Sequence, residues 1–204
     1  RCFVVFDILY RTLKYLYRDS QINYIRNITD IDDKINNRAK ELKLPIQKLT
    51  ERTIGDFNAD LVFLNCLKPT LEPKATEHLK EMISIIEILI DKDIAYTKEG
   101  HVYFRVNKFD DYLQLSLRNF NKNVAGTRVA ISNNKDNIED FVLWKPSAKG
   151  DDVSSIFNSP WGPGRPGWHI ECSAMSHKYL GESFDIHGGG ADLIFPHHTN
   201  EIAQ

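Results

Sequence analysis

Along residues 3–17 the apolar positions Phe3, Phe6, Leu9, Tyr10, Leu13 and Leu16 return every third or fourth residue, which predicts an amphipathic helix. The period then shortens. Residues 22–28 alternate apolar with polar and carry β-branched side chains, the pattern of a strand. The strand runs into Thr29-Asp30-Ile31-Asp32-Asp33, which suits a helix cap, with the helix starting near Asp32. Helical patterns continue through the forties to sixties with a break near Pro45, and Pro69 and Pro73 mark a turn. A further helix is expected over residues 75–92, its stripe formed by Leu79, Met82, Ile83, Ile86 and Leu89 or Ile90. Beyond it the pattern turns to β: a hairpin over 95–106 around Glu99-Gly100, then short strands at 129–131 and 141–144. Residues 145–167 are rich in Gly and Pro and read as loop. A helix follows at about 168–180, closed by Gly181, then a strand at 184–187, a glycine triplet and a new helix after Pro196.

This order predicts an α/β fold interrupted by a β-rich insertion, with a first part at 1–95, the insertion at 96–163 and a second part at 164–204. Composition adds little but excludes much. Hydrophobic residues make up 42% and charged residues 26% of 204, so collagen-like, mucin-like and wholly disordered chains are excluded. The most apolar stretch, residues 82–90, contains Glu87 and falls far short of the roughly 20 residues that span a bilayer. No basic and apolar leader precedes it, so no membrane and no export is expected. Three cysteines, Cys2, Cys66 and Cys172, make no disulfide framework, and a reducing cytoplasm is the expected location. With 26 Lys+Arg against 28 Asp+Glu, the chain shows no general basic footprint for nucleic acid. It opens at Arg1 without Met, inside an apolar pattern, and stops at Gln204 inside a helical one, so both ends read as cut.

Four clusters carry candidate chemistry. Cys172, His197, His198 and Glu201 supply thiol, imidazole and carboxylate groups, all acceptable zinc donors at about 2.0 to 2.3 Å. His197 and Glu201 share a helix face at i, i+4, while His198 stands at i, i+3, and spacing alone leaves it open. The bland alternative is a buried cysteine beside surface histidines. His187-Gly188-Gly189-Gly190-Ala191-Asp192 follows an expected strand, where glycines let a backbone approach a ligand closely and Asp192 suits a ribose hydroxyl or an ammonium. A flexible turn with Asp192 as a cap explains the same residues. Gly164-Arg165-Pro166-Gly167-Trp168-His169 puts Pro166 in a first helical turn and Trp168 one turn before Cys172. The acids of 29–33 invite Mg²⁺, but a helix N-terminus favours acids for its own reasons.

Taken together, Tyr24-Ile25-Arg26-Asn27-Ile28-Thr29-Asp30-Ile31-Asp32-Asp33-Lys34, the run from Gly164 through Gly167-Trp168-His169-Ile170-Glu171-Cys172 to Met175, and the run from Phe184 through the glycine triplet to Glu201-Ile202-Ala203-Gln204 resemble the catalytic domain of cysteinyl-tRNA synthetases, of class I. The resemblance spans essentially the whole chain. It implies a Rossmann-type catalytic domain split by a connective insertion, with cysteine, ATP (with Mg²⁺) and tRNA(Cys) as substrates and partners and Zn²⁺ as cofactor. Cys172, His197 and Glu201 match the family's metal ligands, so the resemblance selects His197 over His198. The family's other ligand cysteine precedes its His-Ile-Gly-His signature, upstream of Arg1, and Cys2 is no substitute for it. Trp168 is then expected to close over the amino acid, Thr29 and Asp192 to line its amino end, and His187 to sit beside the adenosine.

The His-Ile-Gly-His and Lys-Met-Ser-Lys-Ser elements fall outside residues 1–204, so these residues by themselves are expected to be inactive in ATP–pyrophosphate exchange. Three alternatives share parts of this pattern. One is a cysteine ligase of mycothiol biosynthesis, which the abundance of Ile, Lys and Asn disfavours because resemblance places that enzyme in GC-rich genomes. The others are a closed structural zinc module and a zinc hydrolase that uses His197, His198 and Glu201.

Overall fold

A computed structural model describes residues 1–116 and 135–204; the strand expected at 129–131 lies outside the described residues. The elements are α1 (Cys2–Leu16), α2 (Asp33–Leu42), α3 (Ile46–Phe63), α4 (Leu79–Asp91), β1 (Ala95–Lys98), β2 (His101–Phe104), β3 (Phe141–Pro146), β4 (Gly164–Pro166), α5 (Trp168–Leu180) and α6 (Thr199–Ala203). The chain is α/β. It divides into two compact units, one of Arg1–His78 with Met175–Gly190 and one of Leu79–Ala174 with Ala191–Gln204.

In the first unit the expected helices form where the pattern puts them. Asp32 caps α2 by accepting the Lys34 N–H at 2.7 Å, and Pro45 stands just before α3. Asp7 of α1 accepts from Arg11 Nε and from the Leu67 N–H, both at 2.7 Å, which pins the helix to the chain beyond α3. Residues 22–28 do not form a continuous strand. Arg26 N–H reaches Leu71 O at 3.1 Å, Ile28 N–H reaches Pro73 O at 2.8 Å and Ala75 N–H returns to Ile28 O at 3.0 Å. The bond due between these steps would need an N–H at residue 73, which proline lacks. The parallel pairing therefore survives as isolated bridges at Ile25–Leu71 and Ile28–Lys74, joined by the α2–α3 crossover that parallel pairing requires.

The helix expected from residue 75 starts late. Asp30 takes the Thr76 N–H and hydroxyl at 3.0 and 2.6 Å, and buried His78 bonds Lys74 O at 2.6 Å and Tyr179 Oη at 2.7 Å. Residues 75–77 are thereby held as a single 3₁₀ turn before α4. The 184–187 strand is also absent. Its alternation is present, but no strand forms there and Ile186 is 52% exposed; alternation by itself does not make a strand without a ladder.

The second unit is built on an antiparallel sheet of order β1-β2-β3-β4. The expected hairpin turns at Glu99 and Gly100, both at positive φ (51° and 77°), the conformation of a type I′ turn. Met82, Ile86 and Leu89 of α4 are buried, as are Val102, Phe104, Leu143 and Trp144 of the sheet. Within residues 145–167, expected as loop, Gly164–Pro166 forms β4, although Gly-Arg-Pro has no strand propensity of its own. Pairing imposes this strand. Gly164 lies so close to Lys145 O and the Trp144 indole that a Cβ would overlap them, and Pro166 is tolerated because β4 is an edge. Pro166 accordingly ends a strand, where a first helical turn was expected.

Asp140 closes the base of this sheet. Almost fully buried, it accepts from Tyr96 Oη at 2.8 Å, Val106 N–H at 3.0 Å and Asn137 N–H at 3.2 Å. Asp140→Ala leaves buried donors without an acceptor, and is expected to lower unfolding stability by about 2–4 kcal/mol in urea titrations.

Candidate metal centre

Two short pieces of the second unit bring the site together. On one side, Gly167 donates its N–H to Leu143 O at 2.8 Å, and its Cα lies against Val142 O with no room for a side chain. The sheet thus fixes where α5 begins. Trp168 is its first residue, and Cys172 follows one turn later on the same face. Ile170 and Ala174 turn into the core.

On the other side, residues 194–198 make a wide turn interrupted by extended Phe195 (φ −137°, ψ 130°), and the five-residue α6 follows. Thr199 Oγ1 donates to Ile194 O at 2.7 Å and Ser173 Oγ donates to Gln204 Oε1 at 2.7 Å, which fastens α6 at both ends. His197 and Glu201 project from one face at i, i+4.

The donor atoms of Cys172, His197 and Glu201 all lie within 4.8 Å of one another. His197 Nε2 is 2.6 Å from Glu201 Oε1 and 3.6 Å from Cys172 Sγ. The side chains of His197 and Glu201 are only 5% and 7% exposed. Burial pushes the Cys172 thiol well above its usual range, and the carboxylates of Glu201 and Glu171 push it further. Without a cation, this thiol stays protonated.

The other ring nitrogen of His197 is also engaged. Its Nδ1 lies 2.9 Å from Nδ1 of His169, a contact in which one ring donates and the other accepts. Burial, and then His197, pushes His169 down to about 3, so it is neutral at physiological pH. The Trp168 indole stacks on His197, with ring centroids 4.1 Å apart and 21° between planes. His169 has no sequence signal of its own beyond its place beside Trp168 in the Gly-Arg-Pro-Gly-Trp-His run.

The structure brings Trp168 to the three donors. His198 packs beside His197, with centroids 5.8 Å apart. Asp192 is an exposed residue of the 3₁₀ turn Ala191–Leu193 in the second unit. Thr29 and His187 belong to the first unit. There Thr29 lines a cavity of about 240 Å³ with Asp30, Lys34, Arg38 and Thr53, while His187 is exposed and packs against Phe184. Of the acids of 29–33, Asp32 caps α2 and Asp30 holds Thr76. In the glycine triplet, Gly188 lies against Phe6, whose ring a Cβ there would overlap; its freedom serves packing.

Residues 1–204 match the model of the tRNA synthetases class I (C) catalytic domain. The chain belongs to this family. It is similar to the cysteine–tRNA ligase of Orientia tsutsugamushi (strain Ikeda), with 59% identity over 206 residues covering 100% of this chain and 43% of the relative. It shows the same 59% over 204 residues with the cysteine–tRNA ligase of Pelagibacter ubique (strain HTCC1062), and 54% over 204 residues with that of Rickettsia felis (strain ATCC VR-1525 / URRWXCal2), covering 44% of each relative. The chain thus spans less than half the length of these curated relatives. Among the described residues, no helix of this synthetase domain is long and apolar enough to cross a membrane.

The perturbed thiol gives a direct expectation. In metal-free protein at neutral pH, iodoacetamide is expected to modify exposed Cys2 and to spare Cys172. Labelling of Cys172 should rise only at pH well above the ordinary thiol range, as peptide mass spectrometry would read.

Proposed function

We propose that this chain is the amino-acid-activating part of a cysteine–tRNA ligase, in which Cys172, His197 and Glu201 hold a zinc ion that recognises cysteine through its sulfur. The convergence of these three donors carries the reading. The donor set fits the metal. A half-buried thiol beside two carboxylates is unfavourable as an anion by itself, and a divalent cation reverses that balance and makes the thiolate the stable form. When bound, zinc supplies a soft acid that bonds a thiolate and not an alcohol, a distinction between cysteine and serine beyond the roughly 1–3 kcal/mol that pocket shape gives for such small differences.

The chain's own residues do the rest. His197 turns Nε2 toward Cys172 and Glu201, so in a metal-holding state its proton sits on Nδ1 and donates to His169. His169 accepts as a neutral ring and fixes that tautomer. Trp168 covers one face of His197 and screens it from water. The fourth ligand expected from the resemblance is a cysteine upstream of Arg1. Thr29 and Asp192 are assigned to the amino group of the substrate and His187 to the adenosine. Residues 96–163 are assigned as the connective insertion between 1–95 and 164–204. ATP with Mg²⁺ is the co-substrate, tRNA(Cys) the acceptor, and the cytoplasm the location.

The test uses the intact protein. X-ray absorption is expected to show a zinc–sulfur bond gained on adding cysteine and not on adding serine, together with cysteine-dependent ATP–pyrophosphate exchange. No change in sulfur coordination would overturn the reading. Loss of an outer partner typically costs 10–100-fold in metal affinity, so Cys172→Ala, His197→Ala and Glu201→Ala are each expected to lower zinc affinity by at least about 100-fold. His198→Ala is expected to retain zinc. Loss of zinc there would favour a hydrolase-type set of His197, His198 and Glu201.

A further inference from the structure

The carboxylate of the proposed centre sits on a helix too short to hold itself. Helices of one turn are marginal without tertiary support, and α6 has five residues following a turn broken by Phe195. Its orientation is therefore set by side-chain anchors. Thr199 bonds back within the preceding turn, and Gln204 is held by Ser173, the neighbour of Cys172. A further anchor comes from far away in sequence. Tyr112, 5% exposed, donates its hydroxyl proton to Oδ1 of Asn200, 1% exposed.

The Tyr112 ring is held on two sides. Phe141, the first residue of β3, stacks on it with centroids 6.3 Å apart, and Phe195 meets it edge-on at 6.4 Å. Phe141 also packs edge-on against His169 at 5.9 Å, whose Nδ1 bonds His197. Successive residues of a helix project about 100° apart, so a fixed Asn200 decides where Glu201 points.

We infer that Tyr112 is a positioning residue for the metal centre, acting through Asn200 on Glu201 and through Phe195 and Phe141 on the two imidazoles. The inference rests on the metal-binding reading above, and it makes a residue 60 positions before Cys172 in the chain a determinant of metal affinity. Burial pushes the Tyr112 phenol up, so it stays a neutral donor throughout the working range.

The test compares cobalt(II) binding in the intact protein and in variants, with the absorption bands of the ion reporting its coordination. Tyr112→Phe keeps the ring and removes the hydroxyl. It is expected to lower cobalt affinity by on the order of tenfold to 100-fold, as loss of an outer-shell partner does, and to alter the spectrum. In metal-free protein it should speed amide exchange across residues 199–204. Asn200→Ala should show the same change, and the double variant no further loss, because the two act as one unit.

Tyr96→Phe is the control for general destabilisation. It removes another buried hydroxyl of the same unit, one that bonds Asp140, and is expected to leave cobalt affinity and spectrum unchanged. Unchanged affinity and spectrum in Tyr112→Phe, additive losses in the double variant, or an equal loss in Tyr96→Phe would each overturn the inference while wild-type protein still binds the ion. Absence of cobalt binding in wild-type protein would instead remove the metal-binding reading, and this inference with it.

Discussion

A half-buried thiol and a carboxylate whose donor atoms lie within 4.8 Å of the same imidazole are the constraint around which the second unit is organised. In a low-dielectric setting two potential anions repel, and each alone pays for leaving water. Folding brings them together only because the local backbone permits little else. Gly167 has no room for a side chain beside Val142 O, so β3 dictates the start of α5 and hence the position of Cys172. Glu201 depends on anchors at either side of it, one of which is Ser173, adjacent to Cys172. The two halves of the site are thus tied to each other as well as to the sheet.

The aromatic surroundings serve the same end. Trp168 lies flat on His197, His169 meets it through nitrogen, and Phe141 packs edge-on against His169. A ring held on one face and at Nδ1 is restrained to turn Nε2 toward Cys172 and Glu201. Neutral His169 matters here: a charged ring could not accept a proton from Nδ1 of His197, and its burial keeps it neutral. Rotational freedom that an exposed histidine would retain is removed before any ligand arrives, which is how preorganised centres avoid an entropic cost on binding.

What could be read without coordinates follows from range. Local signals succeeded: the stripe Met82, Ile86, Leu89, the Asp32 cap, the Glu99-Gly100 turn and the span of Trp168–Leu180 closed by Gly181 all depend on neighbours within a turn or two. Failures came where distant partners decide. Pro73 interrupts a ladder for residues 22–28 that their own alternation cannot reveal. His78 and Asp30 together delay α4, and β4 exists because β3 pairs with it. The site divides the same way. Cys172, His197 and Glu201, expected from donor chemistry, i, i+4 spacing and family resemblance, lie within 4.8 Å of one another. His169, Tyr112 and Asn200 were not expected, because their contacts with the rest of the site join residues far apart in the chain and follow no period and no motif.

This division bears on how selectivity arises. If the distinction between a thiol and an alcohol rests on the bonding preference of a metal, the protein need not sculpt a pocket that tells sulfur from oxygen by size, a task to which packing is poorly suited. It needs only to hold the donors still. The structural investment agrees with that division of labour: glycines where a backbone must touch a sheet, a five-residue helix fixed by side chains, and rings that restrain one imidazole. Rigidity in the supporting residues, more than complementarity to the substrate side chain, is the property such a centre must keep.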